Sequence, residues 1–302
     1  MKRKLTHFLI CGFACISAAC AKQKTDSLST QLISPDKTGA GIAVVHGPHL
    51  VIYDQAKVNE DKLFLMIVGT NADAAGGREL CTHFAQEGFR TISLDYKNTV
   101  ITTTCTNSTD STCFDRFREE IAFGTDVSAD VDVDSTNSIV HRFEALLEYL
   151  VKNDPKGEWE RFIQNGAIRW EKIAIGGHSQ GAGHVGYLAE KFGVKRALIF
   201  SGPQDYLVNF KKPAGWLFRP GKTPVGNYYA LLHTKDAFVF DRQLAACEAL
   251  MHKKGDTVRV EPQKKISSAA HIFVTDVSTE NAHMSTVEPQ FTNVWDKMMG
   301  TD

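Results

Sequence analysis

The stretch Lys172-Ile173-Ala174-Ile175-Gly176-Gly177-His178-Ser179-Gln180-Gly181 decides the fold. Four apolar or alkyl-stemmed residues read as a strand, and the segment from Gly181 to Phe192 has helical spacing. A serine between two glycines at a strand-to-helix junction is the pattern of a nucleophile elbow. The turn is so tight that the serine takes a strained backbone and its hydroxyl is pushed outward. Side chains two residues either side would collide, so both positions are glycine.

The surrounding chain repeats the alternation. Residues 63–68 form a continuous apolar run, as a strand buried on both faces should. Residues 78–87 read as a helix, 89–96 as a strand and 139–151 as a helix with Ile139, Phe143, Leu146, Leu147 and Leu150 in register. Strands follow at 195–200 and 228–233, then a helix over 241–251. Shorter strands are expected at 258–261 and 271–274, and a closing helix carries Phe291, Val294, Trp295 and Met298. Residues 42–45 and 50–53, separated by His46-Gly47-Pro48-His49, read as a hairpin. Strands alternating with helices imply an α/β fold, a mostly parallel sheet with helices on both faces.

The 302 residues suffice to bury a full core. Formal net charge is −1, from 34 basic and 35 acidic residues, so no electrostatic footprint for nucleic acid exists. Lys2, Arg3 and Lys4 precede an apolar segment to Ile16 and the small residues Ser17-Ala18-Ala19. This reads as an export leader over residues 1–19, too short for a stable span. Cys20 directly after it resembles a lipoprotein cleavage box, although Ser17 stands where leucine is usual. Two outcomes are open: lipid attachment at Cys20, which would tether the chain to a membrane of the cell envelope, or simple cleavage and a periplasmic or secreted chain. Residues 20–37 are polar and read as a linker, leaving 38–302 as the folded domain.

Cysteine usage fits export. Cys105 and Cys113 bracket a polar stretch and read as a disulfide closing a surface loop. Cys81 and Cys247 sit at apolar helix positions and read as small buried residues. Asp130, Asp132 and Asp134 imitate the start of a calcium loop. Ser135 and His141 stand where Gly and Glu are required, so no metal is expected. No glycine-rich phosphate loop follows the first strand, and no cofactor is expected.

A serine hydroxyl needs a base, and the base needs an orienting acid. On an elbow of this kind the partners follow in the order acid, then histidine, at the carboxyl ends of strands. His184 lies one turn into the elbow's helix, and His233 precedes the preferred acid. His252 is at a solvated helix end, and His271 begins a strand at the wrong edge. His283 follows the last strand and is the expected base. Asp236 follows the strand 228–233 and is the expected acid, with Asp205 second and Asp276 more distant. The oxyanion donors are expected to be the backbone N–H groups of Gln180 and of Thr70 in the loop Gly69-Thr70-Asn71, with Asn71 the next candidate.

These residues resemble the α/β-hydrolase superfamily from about residue 50 onward. More narrowly, Gly177-His178-Ser179-Gln180-Gly181-Ala182-Gly183-His184, Phe200-Ser201-Gly202-Pro203-Gln204-Asp205 and Leu232-His233-Thr234-Lys235-Asp236 look like a group of exported bacterial hydrolases of undefined substrate. The resemblance implies a triad of Ser179, Asp236 and His283. The strand-end segment Val68-Gly69-Thr70-Asn71 departs from the usual His-Gly or Pro-Gly pair. The expected activity is cleavage of small-molecule or lipid-like carboxylic esters. Amidase or peptidase action uses the same apparatus, and a non-catalytic envelope binding protein is the rival of another class. Trp216, Leu217 and Phe218 are candidate walls of an acyl pocket or ordinary core residues.

Overall fold

The computed structural model describes residues 27–58 and 61–302. The leader and Cys20 lie outside the described residues. Nine strands form one sheet: β1 (Leu28–Ile33), β2 (His49–Asp54), β3 (Leu63–Ile67), β4 (Arg90–Leu94), β5 (Ile173–His178), β6 (Arg196–Phe200), β7 (Tyr228–His233), β8 (Thr257–Arg259) and β9 (Ile272–Thr275). Their spatial order is β1-β2-β4-β3-β5-β6-β7-β9-β8. β2 pairs antiparallel with both β1 and β4. Every other neighbouring pair in this sheet is parallel. All residues of β2, β3, β4 and β5 are buried, and β3 and the start of β5 accordingly read as apolar runs rather than as alternating patterns.

The described residues also form seven α-helices: α1 (Arg78–Gln86), α2 (Cys113–Phe123), α3 (Ile139–Asn153), α4 (Gln180–Lys191), α5 (Phe240–Leu250), the short α6 (Ala282–Ser285) and α7 (Thr292–Met299). From β3 to β4 the chain steps one way along the sheet; from β5 through β6 to β7 it steps the other way. Right-handed crossovers therefore put α1 on one face and α4 and α5 on the opposite one. α7 joins α1: the His83 imidazole meets Asp296 at 2.6 Å and packs edge-on against Trp295. α2 packs on α3 and α4. The result is an α/β fold, a mostly parallel sheet covered by helices on both faces.

Three expectations need correction. Residues 28–33, expected within a polar linker, form β1, so the folded domain includes the segment before residue 38. The hairpin partner of β2 is β1, and residues 42–45 are not a strand. Residues 113–123, given no regular structure from the sequence, form α2. The expected disulfide joins Cys105 to Cys113, with Cα atoms 5.5 Å apart; both cysteines are buried, and the loop 106–112 that they close is at the surface. Cys81 and Cys247 are free and buried. Burial raises both thiols, Cys81 to about 12.

The order of strands reverses at β3, whose neighbours β4 and β5 lead away in opposite directions. Open α/β sheets carry their crevice at that switch point, beyond the carboxyl ends of the strands. The loops leaving β3 and β5 are Gly69-Thr70-Asn71 and the serine elbow.

Candidate active site

The elbow is as sharp as its glycines suggest. Ser179 has φ 57° and ψ −120°, a combination that costs a non-glycine residue energy and is held by its surroundings. A Cβ on Gly177 would lie 2.3 Å from the Gly181 carbonyl oxygen. A Cβ on Gly181 would lie 2.0 Å from the Ile67 carbonyl oxygen at the end of β3. Glycine at both positions is a steric requirement. Ser179 is half-buried, and among the described residues no partner holds its hydroxyl in a hydrogen bond.

His283, on α6, and Asp236, in the turn after β7, meet: Nδ1 lies 2.8 Å from Asp236 Oδ2. The other carboxylate oxygen, Oδ1, accepts the Phe238 N–H at 2.8 Å. Burial alone would raise the Asp236 carboxyl. The hydrogen bond and attraction from His283, with the Phe238 N–H, outweigh it and hold the group below the usual carboxylate range. An Nδ1–H committed to Asp236 leaves the His283 Nε2 lone pair for a proton, the tautomer a general base requires. The Phe238 ring packs on the imidazole with centroids 4.6 Å apart.

His283 is held by its backbone as well. Its carbonyl accepts His178 Nε2–H at 2.9 Å and Ser201 Oγ–H at 2.7 Å. Burial first, and then the neighbouring His283, lowers the His178 imidazole to about 4. It is therefore neutral at pH 7, with its proton on Nε2. The sequence left this clamp unread, although His178 stands inside the quoted elbow and Ser201 directly follows β6.

The Gln180 and Thr70 N–H groups have no acceptor among the described residues. The Asn71 N–H is taken by the Asn98 carbonyl at 3.1 Å, which leaves Thr70 the better of the two loop donors. The Gln180 side chain ties the loops together: its Oε1 accepts the Thr70 hydroxyl at 2.7 Å and the Thr102 N–H at 3.2 Å. Its carbonyl accepts Arg118 Nη1 at 2.8 Å.

Arg118 explains Asp205. The two form a fully buried bidentate pair, at 2.6 and 3.1 Å, and Trp216 Nε1 donates to Asp205 at 2.9 Å. Asp205 is thus engaged away from His283. Asp276 pairs with Arg259. His184 is fully buried beside Tyr96 and Phe117, His233 donates from Nε2 to the Val277 carbonyl and accepts the Lys235 N–H at Nδ1, and His271 contacts the Tyr228 carbonyl at the far edge of the sheet. Trp216 and Leu217 are core residues and Phe218 is exposed; none of the three lines the cavity described next.

A cavity of about 340 Å³ opens at the switch point, lined by Gly69, Thr70, Asn71, His178, Ser179, Phe238 and His283 together with apolar residues. Ser179 and His283 face one space although 103 residues separate them in a chain of 302.

No protein-family model and no curated protein matches the chain. Solved structures similar to it include an esterase of Pyrococcus furiosus, at 12% identity and a TM-score of 0.46, covering 91% of this chain and 92% of that one. A carboxylesterase of Mesorhizobium loti is similar at 11% identity and a TM-score of 0.46, over 90% and 99% of the two chains. A bacterial heroin esterase is similar at 12% identity and a TM-score of 0.45, over 93% and 84%. At these values the likeness assigns no activity.

Proposed function

We propose that the chain is a serine hydrolase that cleaves carboxylic esters through an acyl-enzyme. The observation that supports it is the His283–Asp236 pair, 2.8 Å apart, on the same cavity as a serine in strained elbow geometry. In this reading the Ser179 oxygen forms a bond to the acyl carbon while His283 Nε2 takes the hydroxyl proton. The carbonyl electron pair moves to oxygen, where the N–H groups of Gln180 and Thr70 receive the charge. The acyl–oxygen bond then breaks and the alcohol departs with the proton from His283. Water repeats the sequence, releasing the acid and restoring Ser179. Asp236 stays ionised and stabilises the imidazolium.

The Ser179→Ala variant should lose p-nitrophenyl ester turnover by a factor on the order of 10⁴–10⁶, together with all labelling by a fluorophosphonate probe. Full labelling of that variant would remove Ser179 from the mechanism. A wild-type protein that neither labels nor turns over esters, thioesters or amides would be a binding module instead.

The same proposal includes export. The Cys105–Cys113 disulfide supports an oxidising compartment, and among the described residues no helix is long and apolar enough to cross a membrane. Radiolabelled palmitate incorporated into the wild type and absent from Cys20→Ser would establish the lipid anchor. Equal labelling of both would exclude it.

A further inference from the structure

The wall of the cavity beyond Ser179 has a definite chemistry. Val68 and Val287, 2% and 8% exposed, form buried wall, and Phe238 stands beside His283. Ile101 and Met284, 42% and 40% exposed, form the solvent-facing rim. Among the described residues this wall contains no Arg, Lys, Asp or Glu. Its two histidines are His283, committed to Asp236, and His178, which donates to the His283 carbonyl. The cavity offers no charge to pair with an ionised substrate.

We propose that the substrate is an uncharged ester with a compact apolar acyl group, seated against Val68, Val287 and Phe238 with Ile101 and Met284 closing around it. The proposal rests on the serine-hydrolase reading and adds the class of acyl group. Apolar surface entering this space leaves water on all sides, which is favourable in proportion to the area covered. A carboxylate placed there would lose its hydration and gain no cation, which is costly. The volume, about 340 Å³, lies near the lower end of the ~300–1,000 Å³ range of small-molecule sites. A sixteen-carbon chain must therefore trail over the rim, with its far end in water and nothing further gained.

The test is a matched panel of p-nitrophenyl esters: acetyl, butanoyl, octanoyl, palmitoyl and 3-carboxypropanoyl. The last is the charged counterpart of butanoyl with the same leaving group. The expected result is a maximum in kcat/KM at butanoyl or octanoyl and at least a 100-fold preference for butanoyl over 3-carboxypropanoyl. Ile101→Lys places a cation on the exposed rim, where folding is little affected, and should shrink that preference at least 10-fold. Equal turnover of the neutral and charged partners, a maximum at palmitoyl, or an unchanged preference in Ile101→Lys overturns the proposal. Fluorophosphonate labelling of Ser179 in the same preparation separates the two levels. A labelled protein without this selectivity retains the hydrolase reading and loses the acyl assignment. An unlabelled protein without turnover loses both.

Discussion

Two buried aspartates end up with opposite work. Asp236 touches an imidazole that shares a cavity with Ser179; Asp205 holds a guanidinium that is itself fully buried. Asn at Asp236 keeps the shape and reverses the hydrogen-bond polarity, which favours the wrong His283 tautomer. Asp236→Asn should lower kcat by about 10⁴ while leaving the urea midpoint nearly in place. Asn at Asp205 leaves Arg118 charged, buried and short of its partner. Asp205→Asn should destabilise the fold by about 3–5 kcal/mol, read by urea unfolding. Its effect on kcat in the remaining folded fraction should be far smaller. If both substitutions act alike, the separation between the two carboxylates collapses. At sequence level only position along the chain ranked Asp236 ahead of Asp205, because both follow a parallel strand by a short turn. The difference lies in Arg118, which comes from a helix 87 residues upstream of Asp205.

Among elements, the strands were the most legible, because a parallel strand between two helical layers must be apolar throughout. β3, β5, β6 and β7 announce themselves that way. β1 did not: Leu28-Ser29-Thr30-Gln31-Leu32-Ile33 lies at the sheet edge, and only its final residue is fully buried. Polar residues there keep an edge from recruiting other chains, and they make it look like linker. α2 escaped for a related reason. Arg118 and Glu120 are buried ionic groups that interrupt its apolar face, and Glu120 accepts the N–H groups of Val127, Ser128 and Val133 rather than facing water. The elbow was readable from five residues because sterics alone dictate it. The clamp on the His283 carbonyl was not, since it joins β5, β6 and α6 in space. A chain shortened to begin at residue 38 should leave β2 with an unpaired edge. Its urea midpoint should fall and its light scattering on concentration should rise relative to a chain beginning at residue 27. Unchanged values for both would mean that β1 adds nothing to the domain.

The whole molecule keeps several histidines uncharged inside it. Burial lowers His49 to about 3 and His178 to about 4, and holds His184 well below its ordinary value. An unfolded chain gains a proton at each below about pH 6.5, whereas the folded chain stays neutral there. The unfolded state thus binds more protons, so stability is complete above pH 6.5 and falls as the pH drops toward 4. Each such proton contributes a slope of about 1.4 kcal/mol per pH unit. Urea midpoints between pH 7 and pH 4.5 should decline steeply, and His178→Gln should flatten part of the decline. A flat profile would mean that these imidazoles accept protons without unfolding.

The double anchor on the carbonyl of residue 283 separates where its imidazole sits from what leads up to it. His178 belongs to β5 and Ser201 directly follows β6, in the most deeply embedded part of the sheet. Asn281 caps α6 through the Met284 N–H, but the run Ser278-Thr279-Glu280 ahead of it is free to diverge in length and composition, and foreign peptide spliced between Ser278 and Thr279 should leave the imidazole at its station.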